Sequence, residues 1–123
     1  MEIIVMKNDN LIAQHVKVAE TFGTRLRGLL GQKELEEGQG LLLKPCRQVH
    51  TWFMGFAIDV IFLDEFRKIV GVQKEMAAGR ISPRFHRAWQ ALELASGSVK
   101  KYALTKGNYL EFIYVNKNQR GKE

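Results

Sequence analysis

Residues 57–63 read Ala-Ile-Asp-Val-Ile-Phe-Leu. A run that is apolar at every position but one cannot leave a face to solvent, so it predicts a strand covered on both sides and central to its sheet. The exception is Asp59. A carboxylate inside such a strand must find donors within the fold, and the candidates are Arg47, His50, Arg80 or backbone amides. Covering both faces of this strand and supplying Asp59 are the two demands that the rest of the chain has to meet.

The flanking segments read as strands and turns. Ile3, Ile4 and Val5 are β-branched, and Asn8-Asp9-Asn10 is turn chemistry, so a hairpin leads from residues 2–7 into 11–18. Apolar alternation in the second of these strands is only partial. Between Thr21 and Gly31 the period changes, with Phe22, Leu26, Leu29 and Leu30 at helical spacing, which predicts a short amphipathic helix. Leu41-Leu42-Leu43 is a short strand buried on both faces, and Pro45, which has no N–H to donate, ends it.

After the central strand, Asp64-Glu65-Phe66-Arg67 reads as a turn into a strand over 68–73. Residues 79–89 are irregular, with Arg80, Arg84, His86 and Arg87 interleaved with Phe85 and Trp89. Residues 91–95 form the next strand. Ser96-Gly97-Ser98 supplies a turn and an N-cap for a short helix over 99–104, and residues 108–115 close the series. The expected fold is mainly β or α+β: one domain over 1–115, a mostly antiparallel curled sheet or small barrel with two short helices. Residues 116–123 form a basic, flexible tail. No strand-helix-strand alternation that would build a parallel sheet is present.

Composition narrows the function classes. At 123 residues, with 46% hydrophobic and 26% charged residues, the chain fits a single soluble domain, and its apolar runs are too short for a membrane span. The first ten residues read as a strand and not as a secretory signal. One cysteine cannot form an intramolecular disulfide, so Cys46 is expected as a thiol in the cytoplasm. The net charge of +6 is spread, and part of it sits in the tail, which argues against a dedicated nucleic-acid binder.

Chemistry is concentrated in residues 45–64, which hold the only cysteine, one of three histidines, one of two tryptophans and three of seven phenylalanines. Cys46 and His50 are four apart. They can share a proton if the chain turns after Pro45, and cannot if it continues as a strand, where four residues span about 13 Å. In the turned form His50 would activate Cys46, with Asp59 orienting the imidazole. In the extended form Cys46 is a small buried apolar residue. Cys46, His50 and Asp59 match no structural zinc spacing, and neither a metal nor a cofactor is called for. Arg47, Thr51, Trp52, Met54 and Arg80 are the residues placed to bind a ligand beside them.

Several segments, taken in order, carry a family resemblance: Gly28-Leu29-Leu30-Gly31, Gly40-Leu41-Leu42-Leu43, Pro45-Cys46-Arg47 with His50-Thr51-Trp52-Phe53-Met54, Ile58-Asp59-Val60-Ile61-Phe62-Leu63-Asp64, and Leu92-Glu93-Leu94-Ala95-Ser96-Gly97. Together they resemble the small prokaryotic family called domain of unknown function 192. The resemblance implies a compact β-rich domain with short helices and a family without an established activity. The sequence departs from the family pattern at Ala57, where a proline is usual, at Glu65-Phe66, in place of a glycine-containing turn, and at Asn108, where an aspartate is typical.

Three functions remain open. The first is binding of a small molecule or anion in a pocket around His50 and Asp59. The second is thiol-dependent catalysis by Cys46 with His50. The third is an interaction module that engages nucleic acid or an acidic partner through residues 80–89. Oligomeric state is not legible.

Overall fold

The computed structural model describes residues 1–20, 34–52 and 54–115. Its strands are β1 (Glu2–Lys7), β2 (Asn10–Ala19), β3 (Gln39–Leu43), β4 (Ile58–Leu63), β5 (Ile69–Met76), β6 (Gln90–Ala95) and β7 (Glu111–Val115), with one short helix, α1 (Ser98–Lys101), among the described residues. The helix expected over 21–31 and the tail 116–123 lie outside them. No helix among the described residues is long and apolar enough to cross a membrane.

The strands form one sheet in the order β5-β4-β6-β3-β2-β1-β7. All neighbours are antiparallel except β2 and β3, which run parallel from His15 opposite Gln39 to Ala19 opposite Leu43. The mostly antiparallel curled sheet is therefore what forms, with one parallel pair in it. The sheet is not closed into a barrel. Among the described residues, its two edges approach where Lys68 bridges Tyr109, with the Ile69 amide donating to Asn108, the Gly107 amide to Ile69 and the Leu110 amide to Arg67.

Local chemistry explains the joints. Asn8 and Asp9 both take positive φ, 49° and 67°, the hairpin geometry that short polar side chains tolerate. Register shifts around Val5 in the β1–β2 ladder break strict alternation, so Ile12 and Ala13 are both buried while Leu11 is exposed. The turn after β4 is tied by Asp64, whose Oδ1 accepts from the Phe66 and Lys68 amides, and Arg67 takes a φ of 67°. Strand β3 ends at Leu43, two residues before Pro45, whose peptide bond with Lys44 is cis.

Every residue of β4 is buried. Because successive side chains alternate, β4 feeds two cores. Ile61 and Leu63 join Ile3, Val5, Val16, Leu42 and Leu92 on one face. Ile58, Val60 and Phe62 join Leu41, Leu43, Val49 and Ala91 on the other.

Asp59 points to the first of these faces, with Ile61 and Leu63. The β4–β5 ladder pairs Ile58 with Met76 and Val60 with Gln73, so one residue of β4 opposes two of β5. In this bulge Glu75 takes a φ of 48° and its amide donates to Asp59 Oδ1 at 2.7 Å. The other oxygen, Oδ2, accepts from the Val99 amide at 2.8 Å in the first turn of α1. Helix α1 is thus capped from a distant strand. The expected Ser98 cap does not form: Gly97 is the N-cap residue at φ 95°, and the Ser98 hydroxyl donates to the Ala95 carbonyl at 2.6 Å. The helix also stops earlier than the apolar pattern suggests, with Ala103 in the left-handed region just beyond it.

Lys101 at the end of α1 donates to Glu37, as does the Tyr102 hydroxyl, tying the loop before β3 to the helix. The hydrogen bond from Lys101 holds the Glu37 carboxyl below its usual range and raises the Lys101 ammonium.

Two expectations follow. Asp59→Ala strands the buried Val99 amide and the part-buried Glu75 amide, at about 1–3 kcal/mol for each, so urea unfolding should show stability lowered by roughly 2–6 kcal/mol at unchanged m. The Glu37 carboxyl should titrate below 4.5 in carbon-detected NMR, the tie being present above that pH and lost as pH falls, and Lys101→Met should return the midpoint towards 4.5.

Candidate functional site

Two irregular segments lie over the second core, one running from β3 towards β4 and the other from β5 to β6. They are zipped antiparallel. The Cys46 amide donates to Trp89, the Phe85 amide to Arg47, the Ser82 amide to Val49 and the Thr51 amide to Arg80, at 2.8–2.9 Å. His50 forms a β-bridge with Ile81. Side chains add to this: Gln48 donates to the Ser82 carbonyl, and the Ser82 hydroxyl accepts from the Val49 amide.

Thr51 is the tightest tie. It is fully buried, its hydroxyl donates to the Ala77 carbonyl at 2.6 Å and accepts from the Arg80 amide at 2.9 Å, and its carbonyl accepts from Gly79. Phe85 anchors the other end by stacking on Phe62 at 4.3 Å. Its ring fills the space over Gly71, where a Cβ would meet three ring atoms at under 3.0 Å. Glycine is required there by close approach.

The zipper decides the fate of the proposed triad. After Pro45 the chain is tied at Cys46 to Trp89 and at His50 to Ile81. The Cys46 thiol donates to the Gln48 carbonyl at 3.2 Å, and the His50 ring stacks on Trp52 at 4.6 Å. Asp59 lies on the opposite face of the sheet from the core against which Cys46 and Met54 pack. Among the described residues, no group of three or more His, Cys, Asp or Glu stands close enough to hold a metal ion. Asp59 is therefore parted from Cys46 by the sheet. Trp52 and Arg80 are exposed at the far end of the zipper, and Thr51 serves its hydrogen bonds.

What the two segments do create is a groove at the Cys46 end. It has a volume of about 410 Å³ and is walled by Cys46, Arg47, Gln48, Arg84 and Trp89, with Pro45 and Ala88. A second cavity of about 250 Å³ shares Arg47, Ala88 and Trp89 and continues past Asp64, Glu65, Phe66, His86 and Arg87. Neither is lined by His50 or Asp59. Arg47 is held at the shared wall because its Nε donates to the Ala88 carbonyl at 3.1 Å. Among the described residues no carboxylate pairs with Arg47 or Arg84.

Of the residues expected to bind, Arg47 thus reaches the groove, together with Cys46, expected as the nucleophile. Arg84 and Trp89 were visible in sequence as cations between aromatics, but nothing local joins them to Cys46 and Arg47. That link is a long-range backbone pairing.

Comparison with known proteins adds the following. The DUF192 family model, described as Uncharacterized ACR, matches residues 3–112. No curated protein matches the chain. The fold is similar to the crystal structure of a protein of unknown function from Novosphingobium aromaticivorans, with a TM-score of 0.74 and 16% identity over 90% of this chain and 84% of that one. It is also similar to that of a "putative transcription regulator" from Sinorhizobium meliloti, with a TM-score of 0.70 and 19% identity over 90% of this chain and 92% of the other.

Replacing Thr51 by Val keeps the shape and removes the hydroxyl, leaving the part-buried Arg80 amide without its acceptor. A loss of about 1–3 kcal/mol is expected. Hydrogen exchange at the Arg80 amide should quicken more than at the β4 amides.

Proposed function

Because this chain belongs to the DUF192 family, which carries no established activity to inherit, we propose from its own side chains that it binds a small anionic ligand in the groove between residues 45–48 and 84–89. One observation carries the reading. Two guanidinium groups, Arg47 and Arg84, stand in the wall of a cavity of about 410 Å³ that no carboxylate lines. Cationic side chains left without a counter-charge in a concave site attract anions, and the planar fork of arginine suits phosphate or carboxylate.

The fold supports the arrangement. Arg47 is pre-positioned by its Nε bond to Ala88, and its Nη groups make no hydrogen bond among the described residues. The segments that form the walls are fixed to each other by the backbone zipper and to the sheet by Phe85. A ligand meeting such a site need not order it first. This reading moves the binding region from His50 and Asp59 to the Cys46–Arg47 end of the same stretch.

Inorganic phosphate titrated at low ionic strength should bind saturably, with the binding weakening as salt rises. Arg84→Ala, at an exposed residue outside the zipper, should weaken it about tenfold or more, the scale of one charge-assisted hydrogen bond. Calorimetry showing no saturable binding of phosphate, or an Arg84→Ala protein that binds like the wild type, excludes this function.

A further inference from the structure

The second cavity shares Arg47, Ala88 and Trp89 with the groove, as a smaller lobe beside a larger one, and its chemistry differs. The larger lobe has Arg47 and Arg84 as its charged liners. The smaller lobe adds the acids Asp64 and Glu65 to Arg87 and His86, and it brings in Phe66 beside Trp89. Asp64 already uses its Oδ1 for the Phe66 and Lys68 amides, so Glu65, which is exposed, is the acceptor on offer to a ligand. The volume of the larger lobe, about 410 Å³, falls in the range of drug-sized ligands, roughly 300–1,000 Å³, and exceeds what an inorganic anion fills.

Trp89 lines both cavities. Its side chain is 47% exposed, and Phe66 in the smaller lobe is 65% exposed. The backbone of Trp89 is held on both sides, by its own amide donating to Leu63 at 2.7 Å and its carbonyl accepting from Cys46. An indole fixed at its root and open on its surface is a platform on which a flat ring can stack at little ordering cost.

Resting on the anion-binding reading above, we infer that the ligand is a nucleoside monophosphate, its phosphate on Arg47 and Arg84, its base against Trp89, and a base amino group directed to the lobe holding Glu65. Cations in the larger cavity, an aromatic shared by both and an acid beside Arg87 in the smaller one match the phosphate, ring and exocyclic amine of an aminopurine or aminopyrimidine nucleotide. No glycine-rich loop is involved. The anion is met by side chains, and the affinity is accordingly modest.

The test uses the full chain carrying Trp52→Phe, so that Trp89 is the only tryptophan, with inorganic phosphate and adenosine monophosphate as probes. Adenosine monophosphate is expected to quench Trp89 fluorescence and to bind about tenfold more tightly than phosphate, the scale of one base stacked on an aromatic ring. Calorimetry on Trp89→Leu in the wild-type background should then give one common affinity for the two probes, the tenfold preference being lost whatever the shared affinity becomes. If phosphate binds and adenosine monophosphate binds no tighter, the nucleotide assignment is wrong while anion binding stands. A tenfold preference that survives in Trp89→Leu overturns the stacking platform. If neither probe binds, both readings fall together.

Discussion

The Asp59 carboxylate is the contact on which much of this architecture rests. It lies in a strand whose every residue is buried, and such a group is tolerated only when its oxygens are served. Both are served by backbone amides, Glu75 in the β5 bulge and Val99 in the first turn of α1. One side chain thereby stabilises a kink in the edge strand and starts a helix of four residues too short to hold itself by propensity. The polar residue in the apolar run is a joint between three elements. Its partners were among those the sequence allowed, but the choice of amides over arginine or histidine depends on the strand's two faces. The alternation of β4 turns Asp59 away from the core beside which Cys46 packs.

A second constraint operates on the other face. The long connections before and after β4 and β5 would leave backbone groups unpaired if each lay over the core alone. They solve this together, bonding residue by residue from Cys46 opposite Trp89 to Thr51 opposite Arg80. The same pairing ties Cys46 to Trp89 and His50 to Ile81, and it brings Arg47 to one wall with Arg84 and Trp89. A cationic groove is thus assembled by one set of hydrogen bonds. Phe85 packed on Phe62, with Gly71 making room for its ring, holds this layer against the sheet.

Some elements were legible and others were not, for reasons that can be stated residue by residue. The continuous apolar run at 58–63, the Asn8-Asp9 turn and the stop before Pro45 are local properties of side chains and backbone, and each appears where the residues put it. The parallel pairing of β2 with β3 has no local signature, because it joins strands separated by residues 20–38. The Ser98 cap misled because a serine next to a helix start has two uses, and here its hydroxyl turns back to Ala95 while Asp59 serves the helix. The asparagine at 108, a departure from the family pattern, still accepts from the Thr105 amide and hydroxyl as an aspartate could.

By itself the sequence determined that this is a β-rich domain built on one strand buried on both faces, and that its chemistry is concentrated in the stretch containing Cys46, Arg47 and His50. Hydrophobic periodicity and turn chemistry act over a few residues, and they suffice for that. Only the tertiary structure decided which of those residues share a wall. The pairing of residues 46–51 with 80–89, and the side of the sheet to which Asp59 points, are set by backbone hydrogen bonds between segments more than 25 residues apart, which no local pattern encodes.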